Sequence, residues 1–252
     1  IDRFAEFTEL ELSLAKDVDA ASFKALSEEY TKDKNKVYYK WVSPGQFWVV
    51  QLPQADVTSF EVLGFNFAKD SKRVWWYCKP LPDIDPSTVE IVNEGFVWKD
   101  AKGVWYQHEK IPGADAATFR HLDQAFYRDK DRVYWSGIPI SDADPDTFRT
   151  FGDDSPYGAD RKHVWKAANQ VVGLDAASFE PIHQSVYKDR NGVYANGYPV
   201  EKADPQTFRK VADLDEHFTA LLADDDNFYV FVPYRGEIYR VALAGDSLHV
   251  SR

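Results

Sequence analysis

One short pattern recurs six times in this chain, about every 30 residues, and it constrains the fold more than any other feature. Each copy sets an Asp in front of a Val-aromatic pair, first in Lys32-Asp33-Lys34-Asn35-Lys36-Val37-Tyr38-Tyr39. The frame returns at Asp70 to Trp76, Asp100 to Tyr106, Asp129 to Trp135, Asp160 to Lys166 and Asp189 to Ala195. A second signature, Asp-x-x-Ser/Thr-Phe, alternates with it at Asp19, Asp56, Asp115, Asp144, Asp175 and Asp204, and as Asp85 to Val89. In five of the six copies the two Asp residues stand 15 apart, as Asp70 and Asp85 do. Residues repeated in every copy serve the architecture before they serve chemistry. Most of the Asp, Tyr and Trp are thereby discounted as site residues.

The copy from Phe126 to Phe148 illustrates the unit. Phe126-Tyr127-Arg128 is a strand, Asp129 to Arg132 a turn, and Val133-Tyr134-Trp135 the return strand. Val133 and Trp135 share one face while Tyr134 points to the other. Gly103 and Gly192, just before the Val in two copies, suggest a bulged turn with positive φ. A turn at Ser136-Gly137 comes next, and then Asp144-Pro145, a helix-start signal repeated at Asp85-Pro86 and Asp204-Pro205. Apolar pairs three apart (Phe119 and Leu122, Phe148 and Phe151, Phe208 and Val211) support one or two turns of helix. The expected fold is therefore mainly β (α+β): tandem repeats of a β-hairpin plus a short helix, in a curved array or a closed, propeller-like ring. Residues 1–16, where Leu10, Leu12 and Leu14 alternate with polar residues, read as an N-terminal strand and cap. Residues 17–210 hold the six repeats. Residues 211–252 read as an acidic segment and a β cap.

Composition narrows the partners. A net charge of −11 argues against nucleic acid or an anionic membrane. No stretch approaches the roughly 18 apolar residues that span a bilayer. The lone Cys78 follows Trp75-Trp76-Tyr77 and reads as a packed strand residue. The chain has no Met and opens at Ile1; a removed signal peptide, a removed lipoprotein anchor or a trimmed chain would each account for that. The expectation is an exported protein, periplasmic or attached to the envelope.

The frame Asp33 to Tyr39, with Ala-Asp-Pro-x-Thr-Phe at Ala143 to Phe148 and Ala203 to Phe208, resembles the bacterial DKNYY repeat family over about residues 17–210. The resemblance implies an exported or lipid-anchored bacterial protein with no established catalytic motif. Some such proteins are similar in setting to immunity proteins that accompany secreted antibacterial effectors, including type VI secretion lipase effectors.

Searching the residues for chemistry leaves binding features and no catalytic set. Asp129-Lys130-Asp131 and Asp189 to Gly192 echo the start of a calcium loop, but the bidentate acid it needs is replaced by Ile140 and Val200. The six His are scattered, and neither a phosphate loop nor a nucleophile elbow is present. No cofactor or metal is expected. The first repeat carries extra residues around Lys40 to Trp48. Trp41, Phe47 and Trp48 there are expected interface anchors, against the alternative that they cover the open N-terminal end. Trp75 and Trp76, with Trp105, Tyr134 and Trp135, suggest an aromatic stripe, against the alternative that both strand faces are packed. The run Asp213, Asp215, Glu216, Asp224, Asp225 and Asp226 suggests a patch that steers a basic partner, against the alternative of a solvated loop. The expected function is a non-enzymatic immunity protein that binds a cognate secreted toxin. The alternatives are an envelope glycan-binding module and a hydrolase built on a carboxylate pair.

Overall fold

Short consecutive runs of Val and aromatic residues, punctuated by turn residues, favour short antiparallel strands, and the computed structural model is built of them. It describes residues 18–43, 46–93, 96–107, 109–152, 155–244 and 247–251. The expected N-terminal strand over residues 1–16 lies outside the described residues. The chain divides into two units, Ile1–Phe119 and Arg120–Arg252.

The first unit holds three four-stranded antiparallel meanders, each with its strands in sequence order. The first sheet comprises Lys24–Ala25, Tyr30–Lys32, Val37–Ser43 and Gln46–Gln51. The second comprises Glu61–Gly64, Phe67–Lys69, Val74–Trp76 and Lys79–Leu81, and the third Glu90–Asn93, Val97–Asp100, Gly103–Tyr106 and Glu109–Lys110. In the second unit the fourth sheet runs from Arg120 to Pro139, the fifth from Arg149 to Val171 and the sixth from Glu180 to Pro199. The seventh has five strands: Arg209–Asp213, Ala220–Ala223, Phe228–Val232, Glu237–Ala244 and Ser247–Ser251.

Both faces of the central strands are buried, which explains why Val and an aromatic residue sit side by side. In the first unit Tyr30, Val37 and Tyr39 pack against Ala68 and Trp75 of the second sheet. Phe67 and Val74, on the opposite face of that sheet, pack against Trp98 of the third. In the second unit the same relay joins Phe126 and Val133 to Trp165, Tyr157 and Val164 to Tyr187, and Val186 and Val193 to Leu222 and Phe231. Core is thus made between neighbouring sheets, one layer per repeat.

Two sequence expectations are corrected. Among the described residues there is no helix: each Asp-x-x-Ser/Thr-Phe forms a single turn. Ser22 N–H donates to the Asp19 carbonyl at 3.2 Å, and Phe208 N–H to that of Asp204 at 3.0 Å. The next residues enter the first strand of a sheet, and the Phe at the junction is buried against a neighbouring sheet where Phe179 and Phe208 stand, while Phe23 is exposed. One turn without a second cannot propagate a helix. Gly103 and Gly192 do not take positive φ either. At Gly103 a Cβ would lie 2.4 Å from Lys110 Cε, so the residue makes room for a crossing side chain.

The two signatures are halves of one clamp. Asp33 is 2% exposed; its Oδ1 accepts the N–H groups of Asn35 and Lys36, both at 2.7 Å. Its Oδ2 accepts the N–H of Asp19 at 3.0 Å and the hydroxyl of Tyr38 at 2.9 Å. Ser22 Oγ in turn accepts the N–H of Lys34. The same backbone-to-carboxylate bond joins Asp56 to Asp70 and Asp85 to Asp100 in the first unit. In the second unit it joins Asp144 to Asp160, Asp175 to Asp189 and Asp204 to Asp224. Each Asp-x-x-Ser/Thr-Phe therefore belongs with the hairpin that comes after it. The last pair adds a seventh repeat within residues 211–252, where six were expected.

Candidate partner-binding site

The first repeat departs from the second through the sixth at Lys40. Lys40 N–H donates to the carbonyl of Glu29 at 2.6 Å, as Tyr77 N–H does to Asn66 at 2.8 Å in the second repeat. At Tyr77 the chain reverses through a residue with φ of 54°, and Gln107, Ser136, Ala167 and Asn196 repeat that conformation. Lys40 stays extended, and its strand runs on to Ser43 before returning along Gln46–Gln51. The extra residues lengthen a hairpin.

Trp41 and Trp48 are direct cross-strand partners on that extension. Their rings stack with centroids 4.6 Å apart and planes 27° from parallel. Both are half-buried, and Trp41 packs on the cluster shared with the second sheet. Phe47 pairs its backbone with Val42; its side chain lies outside the described residues.

Beside the extension lies a cleft of about 590 Å³, lined by Glu28, Glu29, Tyr39, Lys40, Trp41, Asn66 and Tyr77. Tyr39 and Tyr77 meet edge to face at 5.9 Å. Tyr39 donates its hydroxyl to Asn66 Oδ1 at 2.9 Å, and Glu29 accepts the Ser27 hydroxyl at 3.0 Å. Burial, then the neighbouring Tyr77 and Glu29, push the Tyr39 phenol well above its ordinary pKa, so it stays neutral. Apart from Trp41, sequence reasoning missed these residues. Asn66 and Tyr77 are ordinary turn positions of the next repeat, and the longer hairpin sets Trp41 beside them across the cleft.

The other expected site residues are dispersed. Trp75 is fully buried, and Trp76 is wedged among Phe67, Tyr77 and Trp98. Tyr134 is also buried, while Trp105 and Trp135 are partly covered, so the strand aromatics fill the layers between sheets. They form no exposed stripe among the described residues. The acidic run is split as well. Asp213, Asp215 and Glu216 lie at one end of Ala220–Ala223, and Asp224, Asp225 and Asp226 at the other. Four strand residues separate the groups by roughly 13 Å. Asp213 is paired with Lys210 at 2.6 Å and Asp225 with Arg209 at 3.5 Å. Asp215 accepts the N–H groups of His217 and Thr219. Asp224 is 4% exposed and is the clamp carboxylate of the seventh repeat, so it cannot steer anything. Glu216 and Asp226 are exposed.

The turn carboxylates are engaged as clamps. In Asp189, Oδ1 accepts the N–H groups of Asn191 and Gly192 and Oδ2 that of Asp175, which ties up the oxygens a cation would need. Cys78 lies in the turn after Trp76, not in a strand; burial pushes its thiol pKa up and keeps it from acting as a thiolate. A second cleft, of about 550 Å³, lies in the second unit and is bordered by Phe151, His183, Lys210, Asp213 and Phe218.

Together the layered meanders and the clamp define an all-β repeat protein. Its most distinctive surface is an aromatic hairpin beside an acidic, aromatic cleft. Residues 96–231, more than half of the chain, match the DKNYY family, and the chain belongs to that family. No curated protein and no solved structure matches it.

Proposed function

We propose that this chain is a non-enzymatic binding protein that grips a partner protein through the Trp41–Trp48 hairpin and the adjoining cleft. The observation that carries the reading is the departure at Lys40. Where the second through sixth repeats turn back, this one extends a stacked Trp pair beside a cleft that the repeat's own packing does not require. The clamp explains the recurrent Asp and Tyr without recourse to catalysis. The partner we favour, from the family's setting, is a secreted antibacterial toxin of the lipase-effector type, met in the bacterial envelope and inhibited by occlusion.

Capture from native lysate with the wild-type chain and with Trp41→Ala/Trp48→Ala tests this. A stoichiometric protein partner, lost with the double variant and neutralised by the wild-type chain in a toxicity assay, supports the proposal. Retention on cell-wall material with no protein partner supports the second reading, an envelope glycan-binding module. That reading is favoured only by the ring-lined cleft.

A further inference from the structure

We infer that the cleft beside the Trp41–Trp48 hairpin receives a cationic side chain of the partner, an arginine above all. The inference rests on the partner-binding reading and gives that partner a chemistry.

Three aromatic rings border the cleft, and each is braced. Trp41 is backed by Trp48, and Tyr39 and Tyr77 hold each other edge to face. Tyr39 uses its hydroxyl on Asn66, so it turns a ring and not a donor to a ligand. Glu28 and Glu29 add two carboxylates against the single charge of Lys40. Glu29 is held by the Ser27 hydroxyl, and Ser27 Oγ itself accepts the N–H groups of Glu29 and Tyr30. A carboxylate fixed next to flat rings suits a guanidinium. Its plane stacks on an indole or phenol while its fork of N–H groups pairs with the acid. A sugar needs donors and acceptors in balance. Here the charged acceptors outnumber the charged donor, and the whole chain carries −11.

The test uses the full chain, ¹⁵N-labelled, with N-acetyl-arginine amide as probe and the indole N–H signals of Trp41 and Trp48 as readout. Saturable shifts of the Trp41 signal are expected at millimolar probe. The neutral isostere N-acetyl-citrulline amide should bind at least about ten-fold more weakly, the factor that 1.4 kcal/mol supplies. Glu28→Gln/Glu29→Gln removes both charges and keeps each side chain's shape and an oxygen to accept the Ser27 hydroxyl. It should keep the spectrum of the fold and weaken the arginine probe by about the same factor. Equal binding of citrulline, tighter binding of chitotriose than of the arginine probe, or no saturable shift would overturn the inference. If the probe fails while a captured partner still depends on Trp41 and Trp48, the hairpin reading stands and the cation pocket falls. If the probe binds but no protein partner is captured, the pocket stands and the partner reading falls.

Discussion

Arg149 stands directly opposite Ala159 across two strands and sends its guanidinium 2.5 Å to the carbonyl of Ala176. In four other sheets a bond to a carbonyl of the following turn comes from the basic residue in front of the clamp Asp. Lys32 reaches Val57, Lys99 reaches Phe119, Arg128 reaches Pro145 and Lys188 reaches Phe208. The fifth sheet has Ala159 at that position, and the cross-strand neighbour has taken over the reach. A bond between a hairpin and the turn after it thus recurs in five of the seven repeats.

Removing that reach has a defined cost and a defined rescue. Arg149→Ala should destabilise the chain by about 1 to 2 kcal/mol, through a lost charge-assisted bond and the lost stacking over Phe151. Adding Ala159→Lys should return part of the loss in thermal or urea unfolding. Strict additivity of the two changes would show that the pair is not coupled.

The two ends of the acidic run should behave differently. Asp224→Ala strips acceptors from the N–H groups of Asp204, Asp226 and Asn227 and from the Tyr229 hydroxyl, costing on the order of 3 kcal/mol. Asp226→Ala, at an exposed position, should stay within about 0.5 kcal/mol. Urea midpoints of the two variants decide the matter; equal effects would contradict the clamp.

Acid should open the clamp. Burial raises the Asp33 carboxyl, but the N–H groups of Asp19, Asn35 and Lys36 and the Tyr38 hydroxyl outweigh it and hold the pKa at about 2. Asp224 is lowered by its counterpart bonds. A carboxyl depressed in the folded state adds its full stability above the unfolded value of about 4 and loses it as pH falls towards 2. Unfolding free energy measured over that interval should drop. The drop should shrink in Asp33→Asn, which carries no titrating proton at that site.

Gly158 is closely packed within the fifth sheet. A Cβ there would sit 2.2 Å from the Phe148 ring, which also packs on Phe126 and Trp165. Gly158→Ala should cost about 1 to 3 kcal/mol by overpacking, and Phe148→Leu should relieve it. Thermal melts of the single and double variants give the comparison.

The strands and the hairpin turn at Asp129 were legible because short apolar runs such as Val133-Tyr134-Trp135, bounded by turn residues, leave a direct trace in sequence. The short helices were misread because an Asp-Pro cap does not specify how far the chain continues to coil after it. Here a buried Phe and a strand come at once. The seventh repeat was hidden because Ala223 replaces the basic residue and Phe228 the Val. Twenty residues also separate Asp204 from Asp224, where the other clamps span 14 to 16. Of the proposed site, Trp41 and Trp48 stood out in the sequence because they interrupt the repeat. The cleft did not, because Asn66 and Tyr77 belong to another copy and become neighbours only in three dimensions.

The most direct test of the binding account is hydrogen–deuterium exchange on the chain alone and on its complex with the captured partner. The account predicts new protection in residues 37–51 and around Asn66 and Tyr77, with no change at Asp213, Asp215 and Glu216. Protection confined to that acidic turn, or none on the extended hairpin, would contradict it.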